Sequence, residues 1–106
     1  MAWLYLVVAG LFEVGWPLGL KKGWTADGGI QVWWLLLAIV SMTVSGVLLM
    51  TAQRAIPMGT AYAVWTGIGA VGAFITGIFL FGDSASAMRI VAIGLIVAGI
   101  VGLKLA

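Results

Sequence analysis

The sequence predicts an all-α membrane protein, a four-transmembrane-helix bundle, and three observations carry that prediction. Hydrophobic residues make up 64% of the 106-residue chain and charged residues only 8%, against roughly a quarter in soluble domains. The mean hydropathy is +1.26. The apolar residues also fall into four segments of about the length that a spanning helix needs, roughly 20 residues each. Four such spans use nearly the whole chain, so residues 1–106 read as a single transmembrane domain.

Each element has its own boundaries. The first span covers residues 3–20, from Trp3 to Leu20, and is closed by Lys21-Lys22. Its start, Met-Ala-Trp, lacks the basic region of a signal peptide, which predicts a retained helix. The loop Gly23-Trp24-Thr25-Ala26-Asp27-Gly28-Gly29 is rich in turn formers. The second span covers 32–52 and ends before Gln53-Arg54. Pro57 opens the third, 57–81, because proline is tolerated in a first helical turn. Gly82-Asp83-Ser84 makes the next turn, with Ser84 or Ser86 able to cap the fourth span, 86–105. Trp3, Trp24, Trp33 and Trp34 lie near span ends, where interfacial aromatics belong.

Composition excludes several function classes. The chain has no cysteine and no histidine, which removes disulfides, thiolate chemistry and the commonest metal ligand. The spans leave no room for a catalytic or nucleic-acid-binding domain. The expectation is a non-enzymatic protein with no cofactor and no metal, whose surroundings are the lipid bilayer.

One residue points to a function. Glu13 lies in the middle of the first span, the only acidic residue of three that falls inside an apolar segment. A charge at the bilayer centre costs about 2.5–3.5 kcal/mol on insertion scales, so such residues usually carry protons or pair with cations. Desolvation disfavours the charged form of a carboxyl and a nearby cation favours it. A carboxyl in that position can hold either a proton or a cation. The alternative is a structural, permanently protonated Glu13.

Residues three and four apart share a helix face, which gives Glu13 the neighbours Ala9, Gly10, Trp16 and Pro17. Gly10 leaves space beside the carboxylate and Trp16 brings an aromatic ring. The third span offers Tyr62 and Trp65 one turn apart, with Thr66 near them, and the second offers Ser41 and Ser45. Hydroxyls can donate to a carboxylate, and indole faces attract cations by about 2 kcal/mol or more when desolvated. For Ser45 the competing expectation is a bond to its own helix backbone; Ser41 and Thr66 are read as structural. Pro17 has no N–H for the Glu13 carbonyl, so the helix should bend at the carboxylate and leave that carbonyl as a second acceptor. Gly15 and Gly19 remove bulk beside the bend. Pro17 is therefore a selectivity candidate.

Four short helices cannot enclose a solute path alone, so an oligomer is expected. Gly94, Ala98 and Gly102 recur every four residues in the fourth span, a small-residue face suited to close helix packing between subunits; the third span carries a similar ladder. Lys21, Lys22 and Arg89 fall on one side of the membrane, Arg54 and Lys104 on the other. Topology normally follows a clear Lys/Arg excess, and this chain lacks one, so insertion in both orientations is open to it.

The stretches Gly10-Leu11-Phe12-Glu13-Val14-Gly15-Trp16 and Pro57-Met58-Gly59-Thr60-Ala61-Tyr62-Ala63-Val64-Trp65-Thr66-Gly67-Ile68-Gly69 resemble the small multidrug resistance family, and the likeness extends over all four spans. Trp16 beside Glu13, Ser45, and the ending Gly102-Leu103-Lys104 resemble its guanidinium-exporter subtype. That resemblance implies an antiparallel, dual-topology homodimer in a prokaryotic inner membrane, exchanging protons for guanidinium-type cations. It implies Glu13 as the shared proton and substrate site, a shell of Trp16, Ser45, Tyr62 and Trp65, and Gly10 making room. Pro17 stands where the family usually has a small non-proline residue, and the loop at 21–29 also departs from the common one; both bear on substrate choice.

The expected function is proton-coupled export of guanidinium or small substituted forms such as guanylurea. The rival readings are a broad exporter of lipophilic or quaternary ammonium cations on the same fold, one half of an obligate heterodimer, and a non-transporting assembly subunit.

Overall fold

The computed structural model describes residues 1–25 and 27–106; Ala26, one of the turn formers of the first loop, lies outside the described residues. Five helices follow one another: α1 (Ala2–Glu13), α2 (Gly15–Gly23), α3 (Val32–Ala52), α4 (Met58–Phe81) and α5 (Ala87–Leu105). Together α1 and α2 form one stretch, Ala2–Gly23, and the four resulting stretches are each long and apolar enough to cross a membrane. The expected four-helix, all-α architecture is therefore present.

The division between α1 and α2 follows from Pro17. With no N–H at position 17, the Glu13 carbonyl loses its usual donor. Val14 keeps right-handed helical angles (φ −67°, ψ −32°), and its N–H reaches Leu11 three residues back at 3.2 Å. The helix is thus interrupted but not redirected into a loop, and it runs on through Lys21-Lys22 to Gly23.

Turn chemistry sets the other boundaries. The Gln31 N–H bonds the Gly23 carbonyl at 2.8 Å, closing the first loop. Within it the Thr25 hydroxyl and the Gly29 N–H donate to Asp27, and these bonds, the hydroxyl foremost, hold its carboxyl below the usual carboxylate range. Gly82 ends α4 in the left-handed region (φ +67°), which glycine adopts without steric cost. Ser86 caps α5, accepting from the Arg89 N–H at 3.4 Å.

Packing is close where glycines permit it. A β-carbon at Gly19 would stand 2.9 Å from the Ala38 Cβ, and one at Gly23 2.8 Å from the Leu35 Cγ. Gly15 likewise faces the Ser41 side chain. These three glycines seat α2 on α3; Gly15 and Gly19, expected to relieve bulk beside the bend, thus also allow this close packing. A small core of Leu6, Ala52, Ile56, Ala61 and Val64 joins α1, α3 and α4. Helix α5 packs mainly on α4, with Ile100 against Gly67 at 2.8 Å from a β-carbon placed there; its Lys104 ammonium lies 5.0 Å from the Trp3 ring of α1, and it has no buried residue of its own.

Candidate functional site

Glu13 closes α1 about 17 Å along a stretch of about 33 Å, at 1.5 Å per residue, which places its carboxylate near mid-membrane. The Trp16 indole N–H donates to its Oε1. Both residues lie on one helical face, three apart. Gly69 of α4 lies at the same depth, about 17 Å from the start of its own helix. A β-carbon at Gly69 would stand 2.5 Å from the Glu13 Cγ. Glu13 is thus half-buried, with its stem against bare helix backbone and its oxygen held by an indole.

A second polar group lies one turn away. The Ser45 hydroxyl donates to the Ala9 carbonyl at 2.7 Å and accepts from the Trp65 indole N–H at 2.8 Å. This chain ties α1, α3 and α4 together through a fully buried serine. It replaces the bond to its own helix that a serine in a membrane span commonly makes; Thr43 and Thr51 make that local bond, at 2.9 Å each. The Tyr62 ring lies 5.6 Å from the Trp65 ring at 42°, and 57% of Tyr62 is exposed, so this aromatic pair opens to the outside of the protomer.

The sequence-predicted residues therefore form two groups, Glu13 with Trp16 and Ser45 with Trp65 and Tyr62. Ala9 is four residues before Glu13, which puts the groups about 6 Å apart along the axis. The room left by Gly10 is taken by Ile68, whose Cβ would stand 2.7 Å from a β-carbon there. Pro17 lines a cavity between α2 and α4. Gly94, Ala98 and Gly102 are exposed on α5, and among the described residues no side chain lies within 4 Å of a β-carbon at either glycine.

Gly69 was not among the predicted site residues. Its signal was present in the small-residue run of the third span, but periodicity cannot say which neighbour a glycine receives. Among the described residues, no group of three or more His, Cys, Asp or Glu could hold a metal.

Four spans, the first carrying a half-buried mid-membrane carboxylate with an indole donor on it, have the build of a small multi-pass membrane carrier. Residues 1–96 match the family described as Small Multidrug Resistance protein. The chain belongs to that family; it is a transporter and not an enzyme, and a multi-pass protein of the inner membrane. Similar proteins include one from Citrobacter freundii named "Guanidinium exporter", 54% identical over 99% of this chain and 97% of its own length. One of the same name from Yersinia pseudotuberculosis is 54% identical over 100% of this chain and 99% of its own. A third, from Salmonella typhimurium, is 52% identical over 99% and 97%.

Proposed function

We propose that this protein exports guanidinium and small substituted guanidinium cations, guanylurea among them, in exchange for protons. The functional unit in this reading is an antiparallel homodimer whose two subunits insert in opposite orientations. The observation that carries it is the Glu13 carboxylate at mid-span, held by Trp16 and backed by Gly69.

Guanidinium is planar and meets a carboxylate through two parallel N–H donors, and it stacks on aromatic faces. Trp16, Tyr62 and Trp65 supply such faces, and the bond from Trp65 to Ser45 fixes one of them. The names of the similar proteins support the same substrate class. Two Glu13 carboxyls in a dimer bind either protons or one cation, and that exclusion couples the two flows. The balanced Lys and Arg positions support dual insertion, and the open face of Gly94, Ala98 and Gly102 supports α5 as the contact between subunits.

Purified protein in proteoliposomes with an imposed pH gradient tests the reading. Guanidinium and guanylurea should move against the gradient and tetraalkylammonium should not. Preference for quaternary ammonium would favour the broad-exporter alternative, and no cation movement at all would favour an assembly subunit.

A further inference from the structure

A cavity of about 170 Å³ lies between α2 and the last turns of α4. Val14 and Pro17, within about one turn of Glu13, form one end; Lys21, Phe81 and Asp83 form the other, about 12 Å further along the helix from Glu13. The cavity therefore leads from the end of the span toward the carboxylate. The Lys21 ammonium rests 4.4 Å from the centre of the Phe81 ring. Lys22 lies 5.8 Å from the same ring and 5.0 Å from Trp34. Asp83 folds back over Gly77, where a β-carbon would stand 3.3 Å from its Cγ, and its backbone N–H bonds the Gly77 carbonyl at 3.1 Å. A ring face and a carboxylate thus line one opening, and the Lys21 ammonium rests on the ring rather than on the carboxylate.

We propose that this cavity is the outer vestibule of the cation path to Glu13, and that Lys21 is a tethered occupant of the Phe81 ring face, a cation site that Asp83 borders. An incoming guanidinium-type cation displaces it. The proposal rests on the cation-export reading above. An aromatic face that satisfies an ammonium satisfies a guanidinium at least as well, because the planar ion stacks on the ring and is more weakly hydrated. A tethered ammonium competes at the high effective concentration that its short linkage confers. It therefore sets a threshold that strongly hydrated inorganic cations do not pass and planar organic cations do. Glycine at 77 is part of the design, since a side chain there would push Asp83 out of the opening.

Two measurements test this. In proteoliposomes, Lys21→Gln should lower the KM for guanidinium about threefold, and Asp83→Asn and Phe81→Leu should each raise it about threefold, the scale of exposed charge and ring contacts. In each case kcat should change less than KM. Lys21→Gln should have no further effect in the Phe81→Leu background, and Phe81→Tyr, which keeps a ring, should restore the parent KM. Equal effects of Lys21→Gln with and without the ring would mean simple through-space repulsion and would overturn the proposal.

The second measurement needs no transport. Millimolar guanidinium chloride should raise the acylation rate of Lys21 relative to Lys104 at least twofold over the same concentration of sodium chloride, read by peptide mass spectrometry. Released Lys21 without any guanidinium transport would keep a cation site at Phe81 but overturn the exporter reading and with it the site's part in a path. Transport with unchanged Lys21 reactivity and unchanged KM values would overturn the vestibule alone. Failure of both would overturn both.

Discussion

Gly69 receives the Glu13 side chain: a β-carbon at position 69 would stand 2.5 Å from the Glu13 Cγ. The carboxylate position is therefore set from two sides, by the Trp16 indole of α2 on the same membrane-spanning stretch and by the absence of a side chain on α4. A methyl at 69 must push the Glu13 stem or part the helices. Overpacking of this kind costs about 1–3 kcal/mol. Gly69→Ala should reduce guanidinium turnover by at least tenfold while the protein still purifies in its native oligomeric state. Turnover within twofold of the parent would show that Glu13 does not need this contact.

Ser45 holds three helices through two hydrogen bonds, and Ser45→Ala removes both. The Trp65 N–H and the Ala9 carbonyl are left without this partner. Interhelical bonds in membranes are worth about 0.6 kcal/mol on average and up to about 1.7. Ser45→Ala should lower stability by about 1 kcal/mol in a reversible unfolding assay and raise the guanidinium KM severalfold as the Trp65 ring loosens. Ser45→Thr keeps the hydroxyl and should retain more of the affinity. An unchanged KM in Ser45→Ala would separate the Trp65 ring from substrate binding.

Pro17 frees the Glu13 carbonyl beside the carboxylate and lines the adjoining cavity. A cation with more N–H donors than guanidinium can use that acceptor. Pro17→Ala should lower guanylurea transport more than guanidinium transport. An equal change in both, or none, would remove Pro17 from substrate selection.

Dual insertion makes a prediction independent of the site. Single cysteines placed next to Asp27 should react with an impermeant reagent from both sides of an intact membrane. Adding two or three Lys to one set of loops should force one orientation and lower activity, and co-expression with an oppositely biased variant should restore it. Labelling from one side only, in active protein, would refute antiparallel assembly.

The helices were legible because the bilayer imposes one length and one polarity on every span, and Gly82 and Ser86 mark their turns by local chemistry. The interruption after Glu13 was legible for the same reason: a missing N–H at Pro17 acts within one turn. Pairings between helices were not. Gly10, Gly15, Gly19 and Gly69 all read as small residues, yet they receive Ile68, Ser41, the Ala38 region and Glu13 respectively, and only helix register decides which. Ser45 was read as a candidate and Ser41 as structural, but the sequence could not name their partners: Ser45 meets the Ala9 carbonyl and the Trp65 indole, whereas Ser41 faces Gly15. The Lys21–Phe81 contact joins residues sixty positions apart in the chain, beyond the reach of any local pattern.

The central claim is that one carboxyl exchanges a proton for a cation, and Glu13→Gln tests it most directly. Gln keeps the size of the side chain and an oxygen for the Trp16 N–H, so the fold should survive, while the titratable charge is gone. In proteoliposomes the parent should accumulate guanidinium against its gradient when a pH difference is imposed, and should move protons when a guanidinium gradient is imposed. Glu13→Gln should do neither, although it purifies as a folded protein. Robust proton-coupled guanidinium transport by Glu13→Gln would contradict the account.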